Sequence, residues 1–258
     1  MADPLVFVPG AMAQTGRVAL VTGGDTGLGA AVVRGLAARG HAVAIHAHGS
    51  LASARDLAAE LVAAGVPSLA VTADLRDEGP VRAMVHRVAD HFGRIDALVA
   101  CAAIAIGGDF AEVSADDLRT HFNVNCVGTF VVAQEAGMTM LRQPEGGCIV
   151  TVGAAAVGRP TVGGAASAPS HGALPALARS LAVEFAARHP RVRVNCVLPG
   201  GVAPSRDLDP QERAGRIART LLKREGSPAH VAHAVLFLLE NDFLTGVCLP
   251  LDGGQGLT

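Results

Sequence analysis

Thr22-Gly23-Gly24-Asp25-Thr26-Gly27-Leu28-Gly29 (TGGDTGLG) decides how this chain is read. It follows residues 17–22 (RVALVT), an apolar, β-branched run that reads as a strand. It precedes residues 27–39, whose spacing predicts a helix ending at Gly40. Glycines at such a junction permit a tight turn and let a pyrophosphate approach the backbone. The N–H groups and positive dipole end of the following helix favour an anion. The same glycines would also allow plain close packing of helix on strand, so the rest of the chain has to decide.

Outward from the loop, short β-branched runs alternate with longer helical patterns. Strands are expected at 42–46, 68–72, 97–101, 148–152, 192–198 and 246–251. Helices are expected at 52–64, at 80–92 with Pro80 in the first turn, at 166–187, and at 227–240 behind Ser227-Pro228. A further helix over 114–142 opens on Ser114 and Asp117, a variant capping box. The alternation predicts an α/β fold, a parallel sheet with helices on both faces. The nearly continuous apolar strands fit a sheet buried on both sides. Residues 1–16 read as an N-terminal extension and 17–258 as one domain, without linker or repeat.

The chain has 258 residues, 50% apolar and 17% charged, with a formal net charge of -2. That balance argues against disorder and against the basic surface that nucleic acid requires. No apolar run approaches the roughly 18 residues of a membrane span, and no positive charge precedes the apolar stretch in 1–16, so neither membrane nor signal peptide is expected. Cys101, Cys126, Cys148, Cys196 and Cys248 form no CxxC pair and read as buried structural thiols in a reducing, cytoplasmic compartment. His46 and His48 alternate at a strand end without a third ligand, so no metal is expected. There is no Tyr and no Trp, and Lys223 is the single lysine.

The TGxxxGxG loop resembles that of the short-chain dehydrogenase/reductase (SDR) family, and the resemblance runs from Arg17 to about Gly256. Asp74-Leu75 resembles the family's adenine-contacting pair, and Asn125, within NVNCVG at 123–128, its catalytic asparagine. Arg193-Val194-Asn195 with Pro199-Gly200 is similar to the segment that closes over the nicotinamide. Arg224, Gly226, Pro228, Gly246 and Asp252-Gly253-Gly254 match the C-terminal signature. The resemblance implies a Rossmann-type doubly wound parallel sheet of about seven strands, and commonly a tetramer. It also implies a nicotinamide cofactor at Thr22, Gly23, Asp25, Thr26, Gly27, Leu28, Gly29, Asp74, Leu75, Ala102, Pro199 and Gly200.

The resemblance then breaks where the family does its chemistry. There a Tyr protonates the substrate oxygen, a Lys lowers that phenol's pKa and holds the nicotinamide ribose, and a Ser orients the carbonyl. The matching positions here are Ser167, His171 and Ala154, so the tetrad reads Asn125, Ala154, Ser167, His171. The family's Asn-Asn-Ala-Gly becomes Ala100-Cys101-Ala102-Ala103. His171 could still reach the cofactor ribose. At i and i+4, Ser167 and His171 share a helix face and could form a nucleophile pair, though no carboxylate is placed to orient the histidine. The end of the second strand, His46-Ala47-His48-Gly49-Ser50, has no acid for the ribose of NAD and no Arg for the phosphate of NADP. His48 and Ser50 could contact that phosphate, which favours NADP(H) over NAD. The segment loosely resembles the His-x-His-Arg-Ser of pteridine reductases. Pro204 replaces a threonine that contacts the cofactor amide, and 201–222 reads as a short lid with an amphipathic helix carrying Ile217, Leu221 and Leu222.

Three readings follow. The first is an SDR homologue with a degenerate active site, acting as a nucleotide-binding or assembly subunit. It would form a homo-oligomer (dimer or tetramer) or a hetero-oligomer with an active relative, with a small-molecule ligand in its cleft. The second is an NADP(H)-dependent reductase of an unusual C=O or C=N substrate. The third is a cofactor-free enzyme using Ser167 and His171.

Overall fold

The computed structural model describes residues 16–155, 158, 162–202 and 209–258. Except for Gly16, the N-terminal extension lies outside the described residues, as does Pro204.

Seven strands form one parallel sheet in the order β3-β2-β1-β4-β5-β6-β7. They are β1 (Val18–Thr22), β2 (Ala42–Ala47), β3 (Ser68–Thr72), β4 (Ala97–Ala100), β5 (Gly147–Val152), β6 (Val192–Pro199) and β7 (Cys248–Leu251). The helices are α1 (Gly27–Ala37), α2 (Ala52–Ala63), α3 (Glu78–Phe92), α4 (Ala115–Phe122), α5 (Thr129–Met140), α6 (Ser167–Ala186), α7 (Pro210–Arg219) and α8 (Pro228–Glu240). A final 3₁₀ turn spans Gln255–Leu257. This is the expected Rossmann-type doubly wound α/β fold.

Successive residues of a strand enter opposite cores, which explains why the strands are mostly apolar. In β1, Ala19 and Val21 enter one core with Val33, Leu36, Val235 and Leu238 of α1 and α8. Val18 and Leu20 enter the other, with Val85, Val132 and Leu174 of α3, α5 and α6. Strand order reverses between β1 and β4, which opens a crevice beyond their carboxyl ends.

Two expectations need correction. The helix expected over 114–142 is α4, a π-helical stretch over Asn123–Gly128, and α5. Its start is as expected: Ser114 and Asp117 form a reciprocal capping box. The wider π turn adjoins a tight packing point, where a Cβ on Gly128 would lie 2.6 Å from the carbonyl oxygen of Leu75. The lid helix α7 ends at Arg219, so of its three expected apolar residues only Ile217 is helical. Thr220 turns extended there, its hydroxyl bonding Ile217 O and Arg224 O. Leu221 and Leu222 then donate to Gly253 O and stay exposed.

Of the five cysteines, all free, Cys148 and Cys196 are buried and the other three half-buried. No helix among the described residues is long and apolar enough to cross a membrane.

Two predictions concern stability. A Cβ on Gly137 of α5 would overlap the buried ring of Phe185 on α6. Gly137→Ala should therefore destabilise by about 1–3 kcal/mol. Adding Phe185→Leu should return most of the lost melting temperature. Secondly, His41, His46 and His171 are buried, and burial holds each imidazole below its ordinary value of 6.5. The unfolded chain then takes up protons first, so stability is full above about pH 6.5 and falls on acidification until the native imidazoles also protonate. Melting curves from pH 8 to pH 5 should show that fall, and replacing His41 with Asn should shrink it.

Candidate functional site

The crevice at the β1–β4 reversal is a cavity of about 590 Å³. Its wall begins at the glycine loop. Thr22, buried at the end of β1, accepts the Ala102 N–H on its hydroxyl at 3.2 Å. Gly23, at φ +59°, lies so near Ala102 that a Cβ would come within 2.9 Å of its Cα. A Cβ on Gly29 would overlap the carbonyl oxygen of Gly23. The loop can fold back only because both positions lack side chains. Thr26 caps α1 without a side-chain hydrogen bond, and the first turn holds no acid, so no side chain there answers the helix's opening N–H groups.

The outer rim is polar. Arg76 grips the Asp74 carboxylate through Nε at 3.0 Å and Nη2 at 2.6 Å, and its own N–H donates to Oδ1 at 2.9 Å. His48 Nε2 stands 3.6 Å from the same carboxylate. The guanidinium beside Asp74 holds its carboxyl well below the usual range. Asp25 accepts from Ser53 Oγ at 2.8 Å, tying the glycine loop to α2. The Ser50 hydroxyl is engaged locally, accepting the Ala52 N–H at the start of α2.

Behind the inner wall, which Thr120 and Val124 line, stand the rest of the π stretch and α6; Ala154, Ser167 and His171 are not among the residues lining the cavity. Asn125, fully buried, accepts the Ile104 N–H at 2.8 Å and donates to Ile104 O at 2.8 Å and to Ser170 Oγ at 2.9 Å. Ser170 Oγ donates in turn to Ser167 O at 2.7 Å. One turn earlier, buried His121 accepts the Ile106 N–H at 3.1 Å and donates to Asp117 O at 2.7 Å. Asn125 and His121 thus clamp the loop that leaves β4. Ala154 and Ser167 are half-buried. His171 is buried, held neutral by desolvation and by neighbouring His121, and its Nδ1 has no hydrogen-bond partner. Among the described residues no carboxylate partners its Nδ1.

Of the residues expected from sequence, Gly23, Asp25, Thr26, Gly27, Leu28, Gly29, His48, Asp74, Leu75 and Ala102 line the cavity together. Thr22 and Asn125 support its walls from behind. Pro199 and Gly200 sit at the β6 end, where a Cβ on Gly200 would come within 2.7 Å of Ala155 and Asp252. Sequence reading missed the wall residues Arg76, Ile104, Ile106, Thr120 and Val124, and named His46 without assigning it a contact there. Thr120 and Val124, four apart on one helical path, carried a usable signal; the others are brought in by loops. Cys101 also lines the wall, and burial pushes its thiol up to about 12, so it is no nucleophile. Among the described residues no cluster of three His, Cys, Asp or Glu could hold a metal.

Comparison with known proteins fits this geometry. A family model described as Enoyl-(Acyl carrier protein) reductase matches residues 23–255. A 3-oxoacyl-[acyl-carrier-protein] reductase of Rattus norvegicus is 34% identical, covering 94% of this chain and 99% of its own. A short-chain dehydrogenase/reductase structure from Serratia marcescens superposes with a TM-score of 0.87 at 32% identity, over 95% of this chain and 99% of that one. A short chain dehydrogenase from Burkholderia cenocepacia, solved in complex with NADP, gives 0.87 at 34% identity, over 94% and 99%. In fold, cleft and sequence alike, the chain belongs to the short-chain dehydrogenase/reductase family of oxidoreductases.

Proposed function

We propose that the cleft binds a nicotinamide adenine dinucleotide, NADP(H) in preference to NAD, and that the protein is impaired in ordinary carbonyl reduction. The contrast between the two ends of the cleft carries this reading. The nucleotide end is complete. Gly23 and Gly29 let the loop fold back, the N–H groups opening α1 have no side-chain acceptor among the described residues, and a Cβ on Gly27 would meet nothing within 4 Å. Those N–H groups suit a pyrophosphate. Asp74, Leu75 and Ala102 would hold the adenosine half and the cavity floor. The absence of an acid at 46–50, with His48 and Arg76 on the rim, suits a phosphorylated ribose. The NADP complex of the Burkholderia relative supports the same preference. When bound, the cofactor supplies or accepts a hydride.

The acid end is not complete. A carbonyl oxygen gaining negative charge needs a proton. The chain has no tyrosine, Ala154 has no donor, and the Ser167 hydroxyl is a far weaker acid than a tuned phenol. Neutral His171 cannot replace the electrostatic effect of a charged lysine, and its unpartnered Nδ1 is buried. The intact nucleotide end also favours one second reading: reduction of a substrate that brings its own proton, such as a protonated C=N.

Exposed apolar side chains on the π stretch, α5 and α6 (Val127, Phe130, Met138 and Val183) support a partner surface. The partner would be a second copy, giving a dimer or tetramer, or an active relative.

Calorimetry should show NADPH binding more tightly than NADH, with no measurable NADPH oxidation across a panel of ketones and aldehydes. Installing Ala154→Ser, Ser167→Tyr and His171→Lys together should raise turnover by about 10²–10⁴-fold, the usual worth of a positioned acid. A wild-type protein already as fast as that variant would overturn the reading. Light scattering on Phe130→Asp/Val183→Asp should show a smaller assembly than wild type; an unchanged mass would remove this surface as the interface.

A further inference from the structure

We propose that His46 is the positioning residue of the nucleotide cleft, a neutral imidazole of one tautomer that joins the glycine loop to the end of β3 and makes nucleotide affinity pH-dependent. The proposal rests on the nucleotide-binding reading above.

His46 is fully buried at the end of β2, yet every polar atom it owns on the cleft side is used. Its Nδ1 accepts the Gly23 N–H at 3.1 Å, and its main-chain oxygen accepts the Gly24 N–H at 3.0 Å. Its Nε2 lies 3.0 Å from Ala73 O. A carbonyl can only accept, so Nε2 carries the proton and Nδ1 is a bare acceptor. One residue thus receives two successive N–H groups of the glycine loop and holds the residue immediately before Asp74 and Leu75. The buried His41 and His171 differ, each having an Nδ1 without a partner.

Protonating Nδ1 would set its N–H against the N–H of Gly23. Gly23 could not give way quietly, because it presses on Ala102 and Gly29 overlies its carbonyl. The opening turn of α1 would have to move with it. The charged groups facing the ring are Asp25 on the glycine loop, which favours protonation, and His48 beyond it on the same strand end, which opposes it. The Asp74–Arg76 pair follows Ala73 and offsets its own charge. Burial outweighs Asp25 and keeps the ring neutral.

Two substitutions separate the ring's two contacts. His46→Asn places an amide oxygen where Nδ1 stands, keeps the Gly23 bond and cannot titrate. His46→Gln reaches toward Ala73 O and loses Gly23. At pH 8 the Asn variant, which keeps Gly23 and loses Ala73 O, should bind NADPH more tightly than the Gln variant, which should bind about tenfold more weakly than wild type, the worth of one lost hydrogen bond. From pH 8 to pH 5.5 the affinity of wild type should fall relative to the Asn variant; taking that ratio cancels the titration of the ligand's own phosphate. A constant ratio, or a Gln variant as tight as wild type, would overturn the proposal. Amide exchange in the free proteins gives an arm without ligand: protection at Gly23 should drop on acidification in wild type and persist in the Asn variant. Equal loss in both would also overturn it. If no nucleotide bound at any pH, the NADP(H) reading would fall and His46's link to affinity with it, while exchange alone would decide its hold on the loop.

Discussion

Everything around the cleft depends on the contact between Gly29 and the carbonyl oxygen of Gly23, a gap into which no side chain fits. It lets the first turn of α1 fold back over the end of β1, so the helix axis aims its free N–H groups into the crevice. The same closeness carries through α1. A Cβ on Gly35 would meet Leu236 and Ala232 of α8 at 3.3 and 3.5 Å, so α1 and α8 lie close enough to share one face of the sheet. The glycines therefore permit packing and ligand approach together; the sequence alone could not choose between these, and the structure accommodates both.

Much of the fold was legible because its causes are local. β4 is apolar at every position and β1 at all but Thr22, which only a sheet covered on both faces rewards. Capping pairs such as Ser114 and Asp117 announce themselves within four residues. What was not legible depends on partners far away in sequence. The π stretch over Asn123–Gly128 abuts the turn after β3, and nothing in NVNCVG reveals that neighbour. His46 was given no role of its own, because its strand-end position was visible and its burial was not. Its bonds to Gly23 and Ala73 span 23 and 27 residues. Arg76 escaped notice because its grip on Asp74 bends the chain back over two residues, a geometry that spacing alone does not announce.

The missing phenol changes how the inner end should be understood. Asn125 and His121 are polar, buried and close to the cleft, which invites a catalytic reading. Their hydrogen bonds point elsewhere: Asn125 pairs with both backbone groups of Ile104, and His121 takes the N–H of Ile106. An unpaired buried amide costs about 1–3 kcal/mol, so these side chains answer a structural demand made by the irregular exit of the chain from β4. Retaining Asn125 is therefore weak evidence for retained chemistry. It would be kept by any protein that kept this loop.

His171 is the opposite case. Among the described residues its buried Nδ1 has no hydrogen-bond partner, and another histidine, His121, opposes its protonation. A fold selected for stability alone would favour an apolar residue there, since an orphaned polar atom is costly and a methyl-bearing side chain of similar size is not. The buried Nδ1 is thus a cost that nothing in the described fold repays. A neutral imidazole nitrogen can bind a hydroxyl, but it supplies no positive charge to lower the pKa of an acid beside it.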